Sequence, residues 1–461
     1  MPKPLVVINV VGLTQAMLGP HTPNLSRLAE EGFARPMGTV LPAVTCTAQS
    51  TLLTGALPRE HGIVANGWYF RDLAEILFWR QSNHLVGGET LYETARRRDP
   101  SYTVAKMFWW YNMYAAVDWS MTPRPSYPAD GRKIFDSYSR PAELKDRLQD
   151  RLGVFPLLKF WGPGAGIASS RWIAEAAIEV MNEHDPTLTL VYLPHLDYNL
   201  QRLGPRDAEI ADDIEAIDRQ AGRLIDAARS RGAEVVVLSE YAITAVNRPV
   251  HINRRLREAG LLAVRREAPG WESLDAGASR AFAVADHQVA HVYVRDAEDL
   301  SAVTELLERT DGIEQVLDRT AQAEHGLDHA RSGELVAVAA HDAWFTYYFW
   351  LEDHLAPDYA RTVDIHRKPG YDPVELFIDP RLTFPKLRVA RRLLRKVLGF
   401  RYSMDVIGLD AGIVRGSHGR LPTAGNEADE GPVFICTDKS IERDDIPMTA
   451  VKEMLLGIQF E

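Results

Sequence analysis

Five short runs of continuous apolar residues set the strongest limit on how this chain folds. They are residues 5–11 (LVVINVV), Leu188–Leu193 (LTLVYL), Glu234–Leu238 (EVVVL), Leu335–Ala339 (LVAVA) and residues 432–436 (PVFIC). Each is too short for a buried helix and rich in β-branched side chains, the pattern of a strand covered on both faces. Helical patterns separate them. Thr22 suits an N-cap, Pro23 the first helical position and Gly32 the end of one such helix. Ile210, Ile214, Ile217, Leu224 and Ile225 recur at helical spacing in another. Strands alternating with helices predict an α/β fold, an αβα sandwich around a mostly parallel central sheet. Ligands of such sheets sit at the carboxyl ends of the strands, so the residues just after each run are the ones that matter.

The length of 461 residues accommodates one such domain with a sizeable insertion. Residues 1–249 read as the first part of the core. Residues 250–400, with shorter strand-like runs and many aromatics such as Trp344, Phe345, Tyr347 and Trp350, read as a cap or insertion with returning core strands. Residues 401–461 read as the last part of the core. The 46% hydrophobic and 25% charged content is that of a globular protein and excludes a disordered or collagen-like chain. A net charge of -11 offers no general attraction to nucleic acid or to an anionic membrane. The local basic patch of Arg391, Arg392, Arg395 and Lys396 reads as a solvated helix face. Two cysteines, Cys46 and Cys436, form no disulfide framework or zinc-finger spacing. No signal peptide or membrane span is read, and a cytoplasmic location is the default expectation.

The segment 41–68, LPAVTCTAQSTLLTGALPREHGIVANGW, carries the chemistry. Thr45 opens a helical stretch that ends at Gly55, which places a hydroxyl beside free backbone N–H groups in a field that favours anions. Taken alone, a threonine there is an ordinary helix cap. The wider pattern TxxxxxxxxTGxxPxxHGIxxN, from Thr45 to Asn66, resembles the alkaline phosphatase superfamily, and more narrowly its nucleotide pyrophosphatase/phosphodiesterase branch. TPNLSRLAEEG at 22–32, DYNLQRLGP at 197–205, Ser239-Glu240-Tyr241 and Gly416-Ser417-His418-Gly419 are similar to further segments of that family, in the family's order.

The resemblance implies a Thr nucleophile at Thr45, an Asn that holds a phosphoryl oxygen at Asn66, and two zinc-type ions. One metal position would use Asp197, Gln201 and His418, the other Val11, Thr45, Glu240 and Tyr241. Four of these depart from the family pattern. Val11 stands for an Asp, Gln201 for a His, and Glu240 and Tyr241 for Asp and His. Asp197, Glu240 and His418 are then the strong ligands left, and two carboxylates neutralise one divalent ion rather than two. The expectation is one divalent ion (Zn, Mn or Mg) and no two-zinc centre. Asn9, two positions before Val11, and His195, two before Asp197, are candidate compensating metal or pocket residues, as is Gln201. Tyr241 either donates to an oxyanion or fills the altered metal position.

These residues predict a metal-dependent hydrolase of a phosphate ester, diester or pyrophosphate acting through a Thr nucleophile. The competing reading is a degenerate relative that binds an anionic or phosphorylated ligand without turnover. Trp68, close behind Asn66, is expected at the pocket mouth, favouring a small phosphorylated partner with an aromatic or apolar group and no nucleic acid or membrane partner. Asp286, His287 and His291 read as packing or hydrogen bonding between cap and core. The polar turn-rich stretch 364–373 reads as a loop, either contacting substrate or holding itself together. Cys46 reads as a small buried residue. Oligomeric state is not legible.

Overall fold

The computed structural model describes residues 2–129, 133–400 and 403–461; the side chain of Lys396, named in the basic patch, lies outside the described residues. Along the chain, the strands β1 (Leu5–Val10), β2 (Phe33–Pro36), β3 (Val104–Met107), β4 (Trp119–Pro123), β5 (Ser137–Arg140), β6 (Leu188–Leu193) and β7 (Glu234–Leu238) build the main sheet. Four strands follow in a second sheet: β8 (Ala281–Asp286), β9 (Val289–Val294), β10 (Ile313–Leu317) and β11 (Leu335–Ala339). The chain then returns to the main sheet as β12 (Val433–Cys436). The helices used below are α1 (Pro23–Glu31), α2 (Thr45–Thr54), α3 (Leu91–Arg98), α4 (Ile167–His184), α5 (His195–Leu203), α6 (Ile210–Arg229), α7 (Pro385–Val397) and α8 (Val451–Phe460).

The main sheet has eight strands in the order β2-β12-β7-β1-β6-β3-β4-β5. Its five central strands, β7 to β4, are parallel; β12, β2 and β5 join antiparallel at the edges. Every residue of β1 and β6 is buried, as their apolar runs require of strands covered on both faces. Helix α6 packs against α1, α4, α5 and the strands β1 and β7, while α8 packs against α2 and α3. This is the expected mixed α/β architecture with a large, mostly parallel central sheet.

One run falls elsewhere. Leu335–Ala339, read as another strand of the parallel sheet, is β11 of the separate sheet β8-β9-β11-β10, all of whose neighbours are antiparallel. A strand buried on both faces has the same apolar pattern in either sheet, so composition does not reveal its partner. Among the described residues, no helix is long and apolar enough to cross a membrane.

Candidate active site

The carboxyl ends of β1, β6 and β7 lie side by side, because Asn9 pairs with Tyr192 on one flank and Leu238 on the other. Each strand delivers polar groups there: Asn9 from β1, Asp197 from the first turn of α5 after β6, and Glu240 and Tyr241 just after β7. Thr45 arrives from a different direction, as the first residue of α2. The N-cap of that helix is Val44, so Thr45 is not spent as a cap. Gly55 closes α2 at φ 69°, a left-handed conformation that the sequence TG anticipates.

Thr45 Oγ1 lies 3.1 Å from the Tyr241 phenol oxygen, and Tyr241 donates in turn to Asp197 Oδ1 at 3.3 Å. The Tyr241 ring stacks on His418 with centroids 3.5 Å apart. The Nδ1 of His418 pairs with the Ala43 carbonyl at 2.7 Å, which leaves its Nε2 facing Asp197 Oδ1 at 3.9 Å. Gln201 donates to Asp197 Oδ2 at 2.7 Å and accepts from the Tyr371 hydroxyl at 3.0 Å. Asn9 and Gln49 both donate to Glu240 Oε1, at 2.6 and 2.5 Å.

Burial governs the charges, and the one cation acting on Asp197, Arg202, is the smallest of its influences. It pushes the Asp197 carboxyl up to about 7 and that of Glu240 up to about 8, against the smaller opposing pull of their hydrogen-bond donors. His418 is driven well below its ordinary value by burial and stays neutral. Burial likewise raises the Cys46 thiol well above its usual value, in keeping with a small buried residue.

The donor set does not fit the expected divalent ion. Among the described residues, no three His, Cys, Asp or Glu side chains form a group that could hold a metal. Asp197 and His418 come together, but the Tyr241 phenol stands between Asp197 and Thr45, and two amides cap one oxygen of Glu240. Two of the altered ligand positions, Gln201 and Tyr241, are thus filled by groups that make hydrogen bonds with the remaining ones. Val11, another of the four, is fully buried among apolar neighbours.

Three other expectations need correcting. His195 turns away: its Nε2 lies 2.9 Å from Asp213 of α6, and it does not line the cavity. Trp68 is buried rather than at the pocket mouth. It is sealed between Phe70, stacked at 5.0 Å, and the guanidinium of Arg331, also 5.0 Å away. Asn66 is tied at both ends, accepting from the Cys46 N–H at 2.9 Å and donating to Asp286 at 3.1 Å. It anchors the first turn of α2 from behind and does not line the cavity.

Thr45, Asp197 and Tyr241 lie on the floor of a cavity of about 1350 Å³. Its walls carry Trp79, Trp110, Phe160, Trp161 and Tyr371, and Arg80, Arg124, Lys133, Lys159 and Arg367 also line it. These aromatics do what Trp68 was expected to do. The second sheet reaches the same floor through the β8–β9 turn. His287 there adopts φ 62°, and its ring lies 3.7 Å from His418 and 3.6 Å from Tyr371. Asp286 at the same turn accepts from the Asn66 backbone at 2.7 Å, the hydrogen bonding between second sheet and core that its position suggested. His291 pairs with the Val64 carbonyl and plays a packing role. Gln49, Tyr192 and Tyr371 escaped the sequence reading. A glutamine inside a helix and a tyrosine in a buried strand carry no spacing signal, and Tyr371 lay within a stretch read as a loop that either contacts substrate or holds itself together, the second reading favoured.

The sequence pattern of the family described as type I phosphodiesterase / nucleotide pyrophosphatase matches residues 5–372. Rat ectonucleotide pyrophosphatase/phosphodiesterase family member 7 is 23% identical over 238 residues, covering 50% of this chain and 47% of that protein. An uncharacterized pyrophosphatase/phosphodiesterase of Schizosaccharomyces pombe is 25% identical over 248 residues, covering 50% and 43%. The matched region thus spans about half the length of these curated relatives. Phosphonoacetate hydrolase from Sinorhizobium meliloti, solved with phosphonoformate, shares the fold with a TM-score of 0.63 at 16% identity, over 99% of this chain and 96% of that one. Murine ectonucleotide pyrophosphatase/phosphodiesterase 5, solved as an inactive threonine-to-alanine variant with AMP, does so at 0.57 and 14% identity, over 99% and 94%. The chain belongs to the type I phosphodiesterase / nucleotide pyrophosphatase family of the alkaline phosphatase superfamily.

Proposed function

We propose that this chain hydrolyses a phosphate ester, diester or anhydride through a covalent intermediate on Thr45. The observation that carries the reading is the hydroxyl–phenol–carboxylate chain from Thr45 through Tyr241 to Asp197 at the cavity floor. As the Thr45 oxygen attacks phosphorus, its proton passes to the Tyr241 oxygen and the phenol proton passes to Asp197 in its carboxylate form, which a carboxyl titrating at about 7 holds in part at neutral pH. The bond from phosphorus to the leaving oxygen breaks, that oxygen takes a proton from solvent, and Asp197 returns its proton to solvent. Water then attacks the phosphorylated threonine, releasing the group and restoring the hydroxyl. Backbone N–H groups in the first turn of α2 stabilise the oxygens on phosphorus. Family members typically depend on divalent metals, but the donor set described above does not fit one, and no step here is routed through a metal.

The aromatic walls favour a phosphate carrying a bulky apolar or planar group. The basic residues lining the cavity supply the attraction for the anion. The inactive threonine variant of the murine neighbour is consistent with a threonine nucleophile in this family. A second reading, anion binding without turnover, is favoured by the amide-capped Glu240 and by the phenol in a ligand position.

A nitrophenyl phosphodiester assay on the parent and on Thr45→Ala separates the two. Turnover by the parent, lost by roughly three orders of magnitude or more in the variant, is expected. A phosphorylated or nucleotidylated Thr45 should be trapped and seen by mass spectrometry. Activity of the variant within about tenfold of the parent would end the nucleophile assignment. A parent that binds phosphate esters across a broad panel but cleaves none would establish the binding reading instead.

A further inference from the structure

The basic face of helix α7 is solvated, as its sequence suggested, but the apolar side of the same helix is left largely exposed as well. Between Arg381 and Phe400 the chain carries seven Lys and Arg and no acidic residue, within a protein of net charge -11. At 100° per residue, Leu387, Val389, Leu393 and Leu394 fall on one side of α7, and Arg388, Arg391, Arg392 and Arg395 on the other. The apolar side is only partly used. Val389 and Leu393 line the cavity, whereas Leu387, Leu394 and Leu398 are 68%, 58% and 61% exposed. Asp405 holds Arg388 and Arg392. Lys386, Arg391 and Arg395 have no acidic partner among the described residues.

The exposed apolar surface continues around the cavity mouth. Tyr127, Leu158 and Ile378 both line the cavity and stand largely in solvent. Lys133 and Lys159 lie among them. On α7 exposed leucines alternate with cations that have no acidic partner among the described residues, and around the mouth Tyr127 and Leu158 stand exposed beside Lys133 and Lys159. A protein partner would need shape complementarity; a fluid interface with negative headgroups takes in such side chains one by one.

We infer that α7 and the cavity mouth seat on an anionic lipid surface, with Leu387, Leu394 and Leu398 entering the interface and Arg391 and Arg395 facing the headgroups. The cavity then opens towards that surface. The inference replaces the expectation of no membrane partner. It is read from binding and stands apart from catalysis by Thr45.

The test is sedimentation of the full chain with vesicles of phosphatidylcholine plus phosphatidylglycerol, and with pure phosphatidylcholine. Binding should favour the anionic vesicles by at least about tenfold and weaken as salt rises. Each cation near the surface contributes roughly fivefold, so Arg391→Gln with Arg395→Gln should lower binding about twentyfold or more. The triple change Leu387→Ser, Leu394→Ser and Leu398→Ser should abolish it, with circular dichroism and thermal unfolding unchanged because these side chains are exposed. Failure of the parent to bind anionic vesicles would overturn the inference. So would binding that both variant sets retain. A concentration-dependent dimer that Leu394→Ser dissolves, without vesicle binding, would assign the face to a second copy and equally overturn it.

Discussion

Two buried polar clusters lie on either side of Tyr371 and settle their charge in opposite ways. In the first, Lys368 reaches Asp372 and Glu375 at 2.7 Å each. Burial pulls the ammonium down, but the two carboxylates together outweigh it and hold Lys368 above its ordinary value. Glu375 is still pushed up by burial, and it also accepts from the Trp161 indole and the Asp364 backbone. In the second, Asp197 and Glu240 bond only to neutral partners, amides and a phenol, beside a neutral imidazole, and the Arg202 cation acts on Asp197 only weakly from a distance. Desolvation wins there, and both carboxyls keep protons to near-neutral pH. A cluster with its own cation is a structural clasp. A cluster of proton-holding carboxyls presents little negative charge, so the floor of the cavity can receive an anion that two full carboxylates would repel.

The sharpest way to break this contrast is Lys368→Met. Removing the cation strands two buried carboxylates and should cost about 3–5 kcal/mol of stability in urea unfolding. A cost below about 1 kcal/mol would show that the clasp is not charge-balanced. The second cluster should answer in activity instead. Tyr241→Phe interrupts the path from Thr45 to Asp197 and should lower kcat about a hundredfold, with KM changed far less. A kcat within about threefold of the parent would remove Tyr241 from the proton path.

Stability against pH comes next. Glu240 titrates near 8 in the folded chain and near its ordinary value when unfolded, so between those values the folded state holds the extra proton. Its contribution to stability is therefore fully present at low pH and is lost as pH rises towards about 8. Glu240→Gln should match the parent at about pH 5 and melt several degrees higher at about pH 9. Equal melting at both would mean that Glu240 is charged in the folded state. The smallest effect concerns metal: because Asp197 and one oxygen of Glu240 are engaged by internal hydrogen bonds, exhaustive dialysis against a chelator should change turnover by less than about twofold. Loss of activity restored by one divalent ion would show that Tyr241 and the amides move aside to admit it.

How much of this was legible in the sequence depended on whether the signal was local. The buried strands, the helix opened by Thr45 and the left-handed Gly55 follow from periodicity and turn chemistry, and all are present. Asp197, Glu240, Tyr241, His418 and Thr45 were named from motif order, and the fold brings them together. What escaped was orientation. His195 and Asp197 are two residues apart and were read together, but α5 starts at His195, and two steps on a helix rotate a side chain by about 200°. Trp68 and Phe70 share one face of the short strand Gly67–Phe70, and only the position of Arg331, distant in sequence, decides which ring is sealed in. The arrival of His287 at the site required knowing that the second sheet folds back over the first.

The place of β12 in the main sheet bears on how the chain is made. It lies between β2 and β7, so β2 has no other neighbour in the sheet. A strand formed by residue 36 must wait for residue 433 before it can pair. Until then, the flank of β7 that β12 will cover is an open edge of unpaired backbone. During synthesis the half-built sheet therefore passes through a long interval in which it is a template for the wrong strand. A nascent chain of this kind calls for protection on the ribosome, and its yield on refolding should fall steeply with protein concentration.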